Sequence, residues 1–123
     1  MAEARRQAAE KRGRKGERLA ALYLRAKGYR ILDRRVRTPV GEVDLIAKRG
    51  NLVAFIEVKH RKTLDLALVS VPHQAWLRID RASEFWMARR PALAGCGWRF
   101  DIVAVAPWQK PRHVRDAWRP GMA

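Results

Sequence analysis

Cysteine is nearly absent from this chain, and long apolar runs are missing altogether. The single cysteine, Cys96, cannot form an internal disulfide, which favours a reducing compartment. No apolar run approaches the roughly 18–20 residues that cross a bilayer, and the basic N-terminus is not followed by the apolar segment of a signal peptide. We therefore expect a cytoplasmic protein that does not enter the membrane.

Acidic residues are also few. Twelve Asp and Glu stand against 27 Lys and Arg, which gives a formal charge of +15, and the first 37 residues alone hold thirteen basic and four acidic side chains. Such an excess favours a polyanionic partner, because Lys and Arg neutralise phosphates and release counterions. We predict nucleic acid, and DNA in particular, with Arg14, Lys15 and Arg18 among the contacts. A basic helix face that only aids solubility is the alternative.

The apolar content is sufficient for one domain over residues 1–123. Hydrophobic residues make up 48% of the chain and include five tryptophans, and about 100–150 residues is the commonest domain size. Residues 1–12 are expected to be a frayed basic segment and residues 108–123 a peripheral tail. The order of predicted elements is typical of an α/β sandwich. They are a helix at 4–27, strands at 31–36, 42–47 and 52–59, a helix at 73–88, a strand at 97–107 and a short edge strand at 113–118.

The stretch "GEVDLIAKRGNLVAFIEVKHR" predicts a β-hairpin with an unusual amount of charge. Its Gly50-Asn51 pair suits a two-residue type II′ turn, which makes the numbers of paired residues sum to 101. Asp44 then lies opposite Glu57, and Glu42 lies opposite Lys59. Period-two alternation places Val43 on the face opposite to these carboxylates, together with the next apolar residues of its strand, Leu45 and Ala47.

Two carboxylates on opposed strand positions repel each other. At about 4 Å and an effective dielectric near 20 the cost is roughly 4 kcal/mol, so a positive charge must offset it. Lys59 could do so alone, in a structural salt-bridge cluster. A divalent cation could do so with Asp44, Glu57 and the carbonyl of Val58 as oxygen ligands. The residues alone leave both interpretations open.

Four blocks of sequence occur in order between about Gly13 and Val105: "GRKGERLAALYLRAKGYRIL", "GEVDLIA", "FIEVKHR" and "RFDIV". Asp44 followed by Glu57-Val58-Lys59 resembles the D…(D/E)XK motif of the PD-(D/E)XK nuclease superfamily. The four blocks together resemble the YraN-type (UPF0102) endonuclease-like family, which is similar to archaeal Holliday-junction resolvases.

The resemblance implies a restriction-endonuclease-like αβββαβ core, a central mixed sheet flanked by helices. It also implies an endonuclease that uses Mg²⁺ or Mn²⁺ to cleave structured DNA, with branched DNA as one candidate. Asp44, Glu57 and Lys59 would be catalytic, and Glu17 would be the acidic residue that reaches the metal from the first helix. A nucleic-acid-binding module on the same fold, without cleavage, is the alternative function, and a homodimer is a further candidate assembly.

Other polar residues have less defined expectations. Arg61 and Lys62, which follow the motif, are candidate DNA contacts. Gln74 is another, because it retains the glutamine of a Lys-Gln pair that the family usually carries at the start of the second helix. Glu42 is expected just outside the metal site. Asp101 is expected to pair with Arg99 or to cap the sheet, and the side chain of His113 to lie at the surface.

Overall fold

The structure is a computed structural model that describes residues 2–69 and 71–122, without the side chains of residues 8–12. Helices and strands account for most of these residues. The helices are α1 (Ala2–Ala26), α2 (Leu64–Leu68) and α3 (His73–Ala88), with a 3-10 turn at Pro91–Leu93. The strands are β1 (Arg30–Thr38), β2 (Gly41–Arg49), β3 (Leu52–His60), β4 (Gly97–Val105) and β5 (Arg112–Trp118).

The five strands form one mixed sheet in the order β1-β2-β3-β4-β5. Only the β3–β4 pair is parallel, since α2 and α3 lie between these strands in the chain and carry it back across the sheet. The predicted αβββαβ core and α/β class are therefore confirmed. The short helix α2 was not predicted. It begins where the hydroxyl of Thr63 accepts a hydrogen bond from the amide of Leu66 at 3.1 Å.

Each face of the sheet buries an apolar cluster under a helix. Helix α1 covers one face with Ala20, Ala21 and Leu24, which pack on small and branched residues of β2, β3 and β4. Helix α3 covers the other face with a stripe of residues at helical spacing, and its neighbours include the rings of Phe55 and Phe100. That stripe comprises Trp76, Ile79, Ala82, Ser83 and Trp86.

The β2–β3 hairpin has the predicted register as far as Leu45 and Ile56. The expected pairs Asp44–Glu57 and Glu42–Lys59 are not part of the ladder, because the two strands part beyond that point. Five pairs, from Arg49 with Leu52 to Leu45 with Ile56, sum to 101. Gly50 has a φ of +59° and Asn51 is not among the residues with positive φ, which is the combination that a type II′ turn requires.

The predicted face of Val43 was wrong. It packs with Ile46 in the cluster under α3, whereas Leu45 and Ala47 belong to the cluster under α1. Strict alternation fails here because the β2–β3 ladder ends at Leu45, and the start of β2 instead lies against α3. A Cβ on Gly41 would stand 2.1 Å from the carbonyl oxygen of Arg78, so only glycine allows this approach.

The two ends of the chain contribute differently. Helix α1 begins at Ala2, and the expectation that residues 1–12 fray involves Met1 and side chains outside the described residues. In the segment 108–123, expected to be peripheral, β5 forms an edge of the sheet and Trp118 is buried in the cluster under α3. In the part of the chain that the structure describes, no helix is long and apolar enough to cross a membrane.

Candidate functional site

Asp44 and Glu57 lie one position beyond the last paired residues of the β2–β3 hairpin. The amide of Val58, which would face Val43 if the ladder continued, donates instead to Asp44 Oδ2 at 2.8 Å. Since the N–H and C=O of one strand residue point to the same edge, the carbonyl of Val58 is directed to this side as well. The carboxyl group of Asp44 thus takes the place of a strand partner where the two strands part.

The two carboxyl groups line one cavity of about 150 Å³ between the sheet and α3. Its other walls are Glu42 from β2 and three residues of α3, namely Ala75, Arg78 and Ile79. Asp44 also lines a neighbouring cavity of about 300 Å³ that extends to α1 and β1. The geometry is the one that the hairpin register predicts, with both carboxylates on the same side of the sheet.

Burial and charge act together on Asp44. Burial, and next the charge of Glu57, raise the pKa of Asp44 to about 8, and a hydrogen bond between the two carboxyl groups adds to the effect. The amide of Val58 and the charge of Lys59 act in the opposite direction without cancelling it. At neutral pH the pair therefore retains a proton unless a further cation is present.

Lys59 lies beside this pair. Its Nζ is 3.5 Å from Glu57 Oε1, and both side chains are largely buried. Lys59 also lines a cavity of about 640 Å³ with Arg61 and Lys62, so its ammonium group lies between the carboxylates and a basic surface. A structural salt bridge explains the contact with Glu57, but among the described side chains no salt bridge reaches Asp44, on which Lys59 acts only through its charge.

Glu17 projects from α1 into the cavity that Asp44 shares. Its Oε2 accepts a hydrogen bond from Arg35 Nε at 2.7 Å, which already neutralises its charge. Arg35 has a φ of +49°, a conformation that a non-glycine residue seldom adopts outside turns. Glu17 and Asp44 are thus near neighbours, but Glu17 has a competing partner on β1.

The predicted nucleic-acid contacts surround these cavities. Arg14 lines the cavity that contains Glu17, and Lys15 and Arg18 are exposed on α1. Arg61 and Lys62 are exposed at the end of β3. Gln74 is exposed in the first turn of α3 and does not line the cavity of Asp44, whereas Arg78, one turn further on, does. Arg78 was missed, although its spacing of four from Gln74 places it on the same helix face.

A metal ion would meet two carboxylates and one backbone carbonyl here. Among the residues that the structure describes, no three His, Cys, Asp or Glu side chains lie close enough together to hold an ion. Mg²⁺ nevertheless commonly binds one or two protein carboxylates, with waters and phosphate oxygens as its remaining ligands. Asp44, Glu57 and the carbonyl of Val58 are all hard oxygen donors, and among the described side chains Lys59 is the one cation that forms a salt bridge with the carboxylate pair. The donor set therefore fits such an ion.

A second charged cluster lies on the opposite face of the sheet, around Asp101. As predicted, Asp101 pairs with Arg99, at 2.7 and 2.8 Å, but His113 Nε2 also lies 2.7 Å from it. The expected surface position of His113 was wrong, since only 1% of its side chain is exposed. Lys27 Nζ, at 2.6 Å from His113 Nδ1, extends this network from β4 and β5 to the residue that follows α1.

The fold and the hairpin define an α/β domain with a restriction-endonuclease-like core and a carboxylate pair at the parting strands. The model of the Uncharacterised protein family UPF0102 matches residues 16–105, and the chain belongs to this family. It is 56% identical over 117 residues to a UPF0102 protein of Paramagnetospirillum magneticum, which covers 92% of this chain and 91% of that protein.

Two further relatives have similar coverage. A UPF0102 protein of Mesorhizobium japonicum is 50% identical over 112 residues, 91% of this chain and 90% of its own. A UPF0102 protein of Maricaulis maris is 50% identical over 121 residues, 98% of this chain and 94% of its own. The resemblance to the YraN-type family is therefore confirmed over most of the chain.

Proposed function

We propose that the protein is a metal-dependent endonuclease that acts on phosphodiester bonds of structured DNA. One observation carries the proposal: Asp44 and Glu57 share a cavity and a hydrogen bond at the point where β2 and β3 part. Two adjacent carboxylates are unfavourable without a positive charge nearby. Of these two carboxylates, Lys59 forms a salt bridge with Glu57 only. An arrangement that costs stability in this way is typical of a site that a cation completes.

The residues of the site would have different roles in the reaction. Asp44, Glu57 and the carbonyl of Val58 would hold Mg²⁺ or Mn²⁺, which supplies Lewis-acid polarisation of the phosphodiester and activation of a water molecule. Lys59, beside Glu57, would donate to a phosphate oxygen as negative charge develops on it, or hold the attacking water. Glu42 lines the same cavity but is exposed, which suits a group outside the ligand set.

The basic surface supports a DNA substrate. Arg14 lines the cavity that Asp44 shares, and Arg61 and Lys62 line the cavity that Lys59 shares, so a phosphate backbone would meet cationic groups in both. The net charge of +15 would draw a polyanion to this surface at low salt. A cytoplasmic location and a homodimer complete the proposal.

A nucleic-acid-binding module without cleavage is the second candidate. It is favoured by the contact of Glu17 with Arg35, which removes from the site a carboxylate that the family resemblance assigns to the metal. In that case the basic surface would bind DNA and the carboxylate pair would have only a structural effect.

A cleavage assay separates the two. Purified protein with Mg²⁺ or Mn²⁺ is incubated with linear, flapped and four-way-junction DNA, alongside Asp44→Asn, Glu57→Gln and the control Glu84→Gln on the exposed face of α3. Cleavage that both site variants lose and the control retains supports the endonuclease. Tight binding with equal residual activity in all four proteins supports the binding module.

A further inference from the structure

Trp108 is the one large hydrophobic residue in the described parts of the chain whose side chain is wholly exposed, at 103%. Three of the other tryptophans are at most 4% exposed, and Trp98, at 39%, packs against the ring of Phe55. Trp108 occupies the turn between β4 and β5 with a φ of +61°. A bulky residue rarely adopts this conformation, which here directs a large ring into solvent.

The turn that carries Trp108 lies beside the basic end of β3. The amide of Arg61 donates to the carbonyl of Val105 at 3.1 Å, which ties the end of β3 to the end of β4 just before the turn. Pro107, next to Trp108, lines the 640 Å³ cavity together with Lys59 and other residues of the β3 end. Trp108 therefore directly follows a residue that lines a cavity shared with Lys59 of the proposed catalytic site.

The charged residues in the two chain segments next to this ring are all basic. Residues 58–64 and 102–115 contain no Asp or Glu, while Lys110 and Arg112 are exposed on the far side of the turn. Trp108 is followed in the turn by the exposed polar residues Gln109 and Lys110, and the exposed Pro107 is its one apolar sequence neighbour, which is too small to make with the ring a continuous apolar patch of the kind that docks a protein.

An exposed aromatic ring between cations matches one ligand chemistry in particular. Proteins bind single-stranded nucleic acid by stacking bases on aromatic side chains while Lys and Arg follow the phosphates. The bases of a duplex are already stacked on one another, so Trp108 could engage only an unpaired base.

We propose that Trp108 stacks on an unpaired base next to the proposed cleavage site and so selects DNA that has a single-stranded segment there. This inference rests on the proposed function, and it adds the substrate feature that the site recognises. The ring would hold the strand while Arg61 and Lys62 contact its phosphates.

Fluorescence anisotropy with EDTA present tests the inference without relying on cleavage. Labelled single-stranded, forked and blunt duplex DNA of equal length are titrated with wild type, Trp108→Ala, Trp108→Phe and the control Leu22→Ala, which truncates another exposed apolar residue. Removing one ring that stacks on a base corresponds to about 5- to 150-fold weaker binding. We expect that weakening for Trp108→Ala on single-stranded and forked DNA and less than a twofold change on the blunt duplex. Trp108→Phe should recover most of the affinity.

Two outcomes would overturn the inference alone: equal weakening on all three substrates, or wild-type affinity of Trp108→Ala on all three. If wild type binds none of them, the proposed function fails as well, and this outcome is distinct from the other two. Circular dichroism of each variant confirms that the comparison is between folded proteins.

Discussion

Replacing Asp44 by asparagine should stabilise the protein at neutral pH when EDTA is present. The amide oxygen of asparagine can still accept the hydrogen bond from the amide of Val58, so the variant removes the charge and keeps the contact. The pKa of Asp44 is raised from 3.8 to about 8. A carboxyl group with a raised pKa stabilises the fold fully below its unfolded value, and this contribution is lost as the pH rises towards its folded value.

The size of the stability difference follows from the single proton that the Asp44 carboxyl group binds in the folded protein. Between about pH 4 and pH 8 the folded protein holds a proton that the unfolded chain releases, so wild type loses up to about 1.4 kcal/mol per pH unit relative to Asp44→Asn. From about pH 5 to pH 7 the difference should grow by up to about 3 kcal/mol. Comparison of the two proteins cancels the titrating groups that face the site without acting on the pKa of Asp44, such as Glu17, Arg35 and Arg78. Glu57 and Lys59 do act on it, so their response is part of the measured difference.

Urea unfolding of both proteins at a series of pH values measures this difference. Glu57→Gln should show a smaller gain, because it removes the repulsion between the two carboxyl groups but leaves Asp44 buried. The exposed residue Glu84 supplies the control: its charge acts on Asp80 and not on Asp44, so Glu84→Gln should gain far less than Asp44→Asn as the pH rises. A difference between wild type and Asp44→Asn that stays constant from acid to neutral pH would refute the raised pKa of Asp44, and equal behaviour of Glu57→Gln and wild type would refute the repulsion between the two carboxyl groups.

Three further predictions concern catalysis, the second cluster and binding. Lys59→Ala should reduce metal-dependent cleavage by about 100-fold or more, with little change in DNA affinity; if wild type and variant share the same trace activity, a contaminating nuclease is responsible. Burial raises the pKa of Asp101, but hydrogen bonds from His113 and Arg99 outweigh it and hold the pKa below its usual range. Asp101→Asn should therefore lower the free energy of unfolding in urea by about 3–5 kcal/mol at neutral pH. The decrease should be smaller in acid, where wild type loses this contribution. A decrease below about 1 kcal/mol at neutral pH would contradict the prediction. DNA affinity should fall steeply with salt. Deleting residues 1–12 should lower the slope of log affinity against log salt concentration by up to about 0.9 for each phosphate that this segment neutralises. An unchanged slope would show that the segment does not contact DNA.

Local rules were enough to predict the hairpin. A glycine in the first position of a two-residue turn fixes the register, and the register by itself places Asp44 near Glu57. The stripe of α3 was equally predictable, because helical spacing marks Trp76 and Trp86 as members of one buried face.

Contacts between distant parts of the chain were not predictable in this way. His113 meets Lys27 across 86 residues, and only the pairing of β5 with β4 brings it to Asp101. The face of Val43 was missed because alternation assumes an unbroken ladder, whereas a side chain of the site interrupts it. The contact of Glu17 with Arg35 depends on an unusual backbone conformation that nothing in the local sequence indicates.

The close approach of Gly41 to Arg78 has a consequence for engineering. The backbone of Gly41 lies directly against the backbone of Arg78. The width of the cavity that holds Asp44 and Glu57 therefore depends more on the missing side chain at position 41 than on any charged residue. Alanine at position 41 would act as a spacer that lifts α3 from the sheet at one end. Substrate size could thus be altered without changing a single polar group of the site.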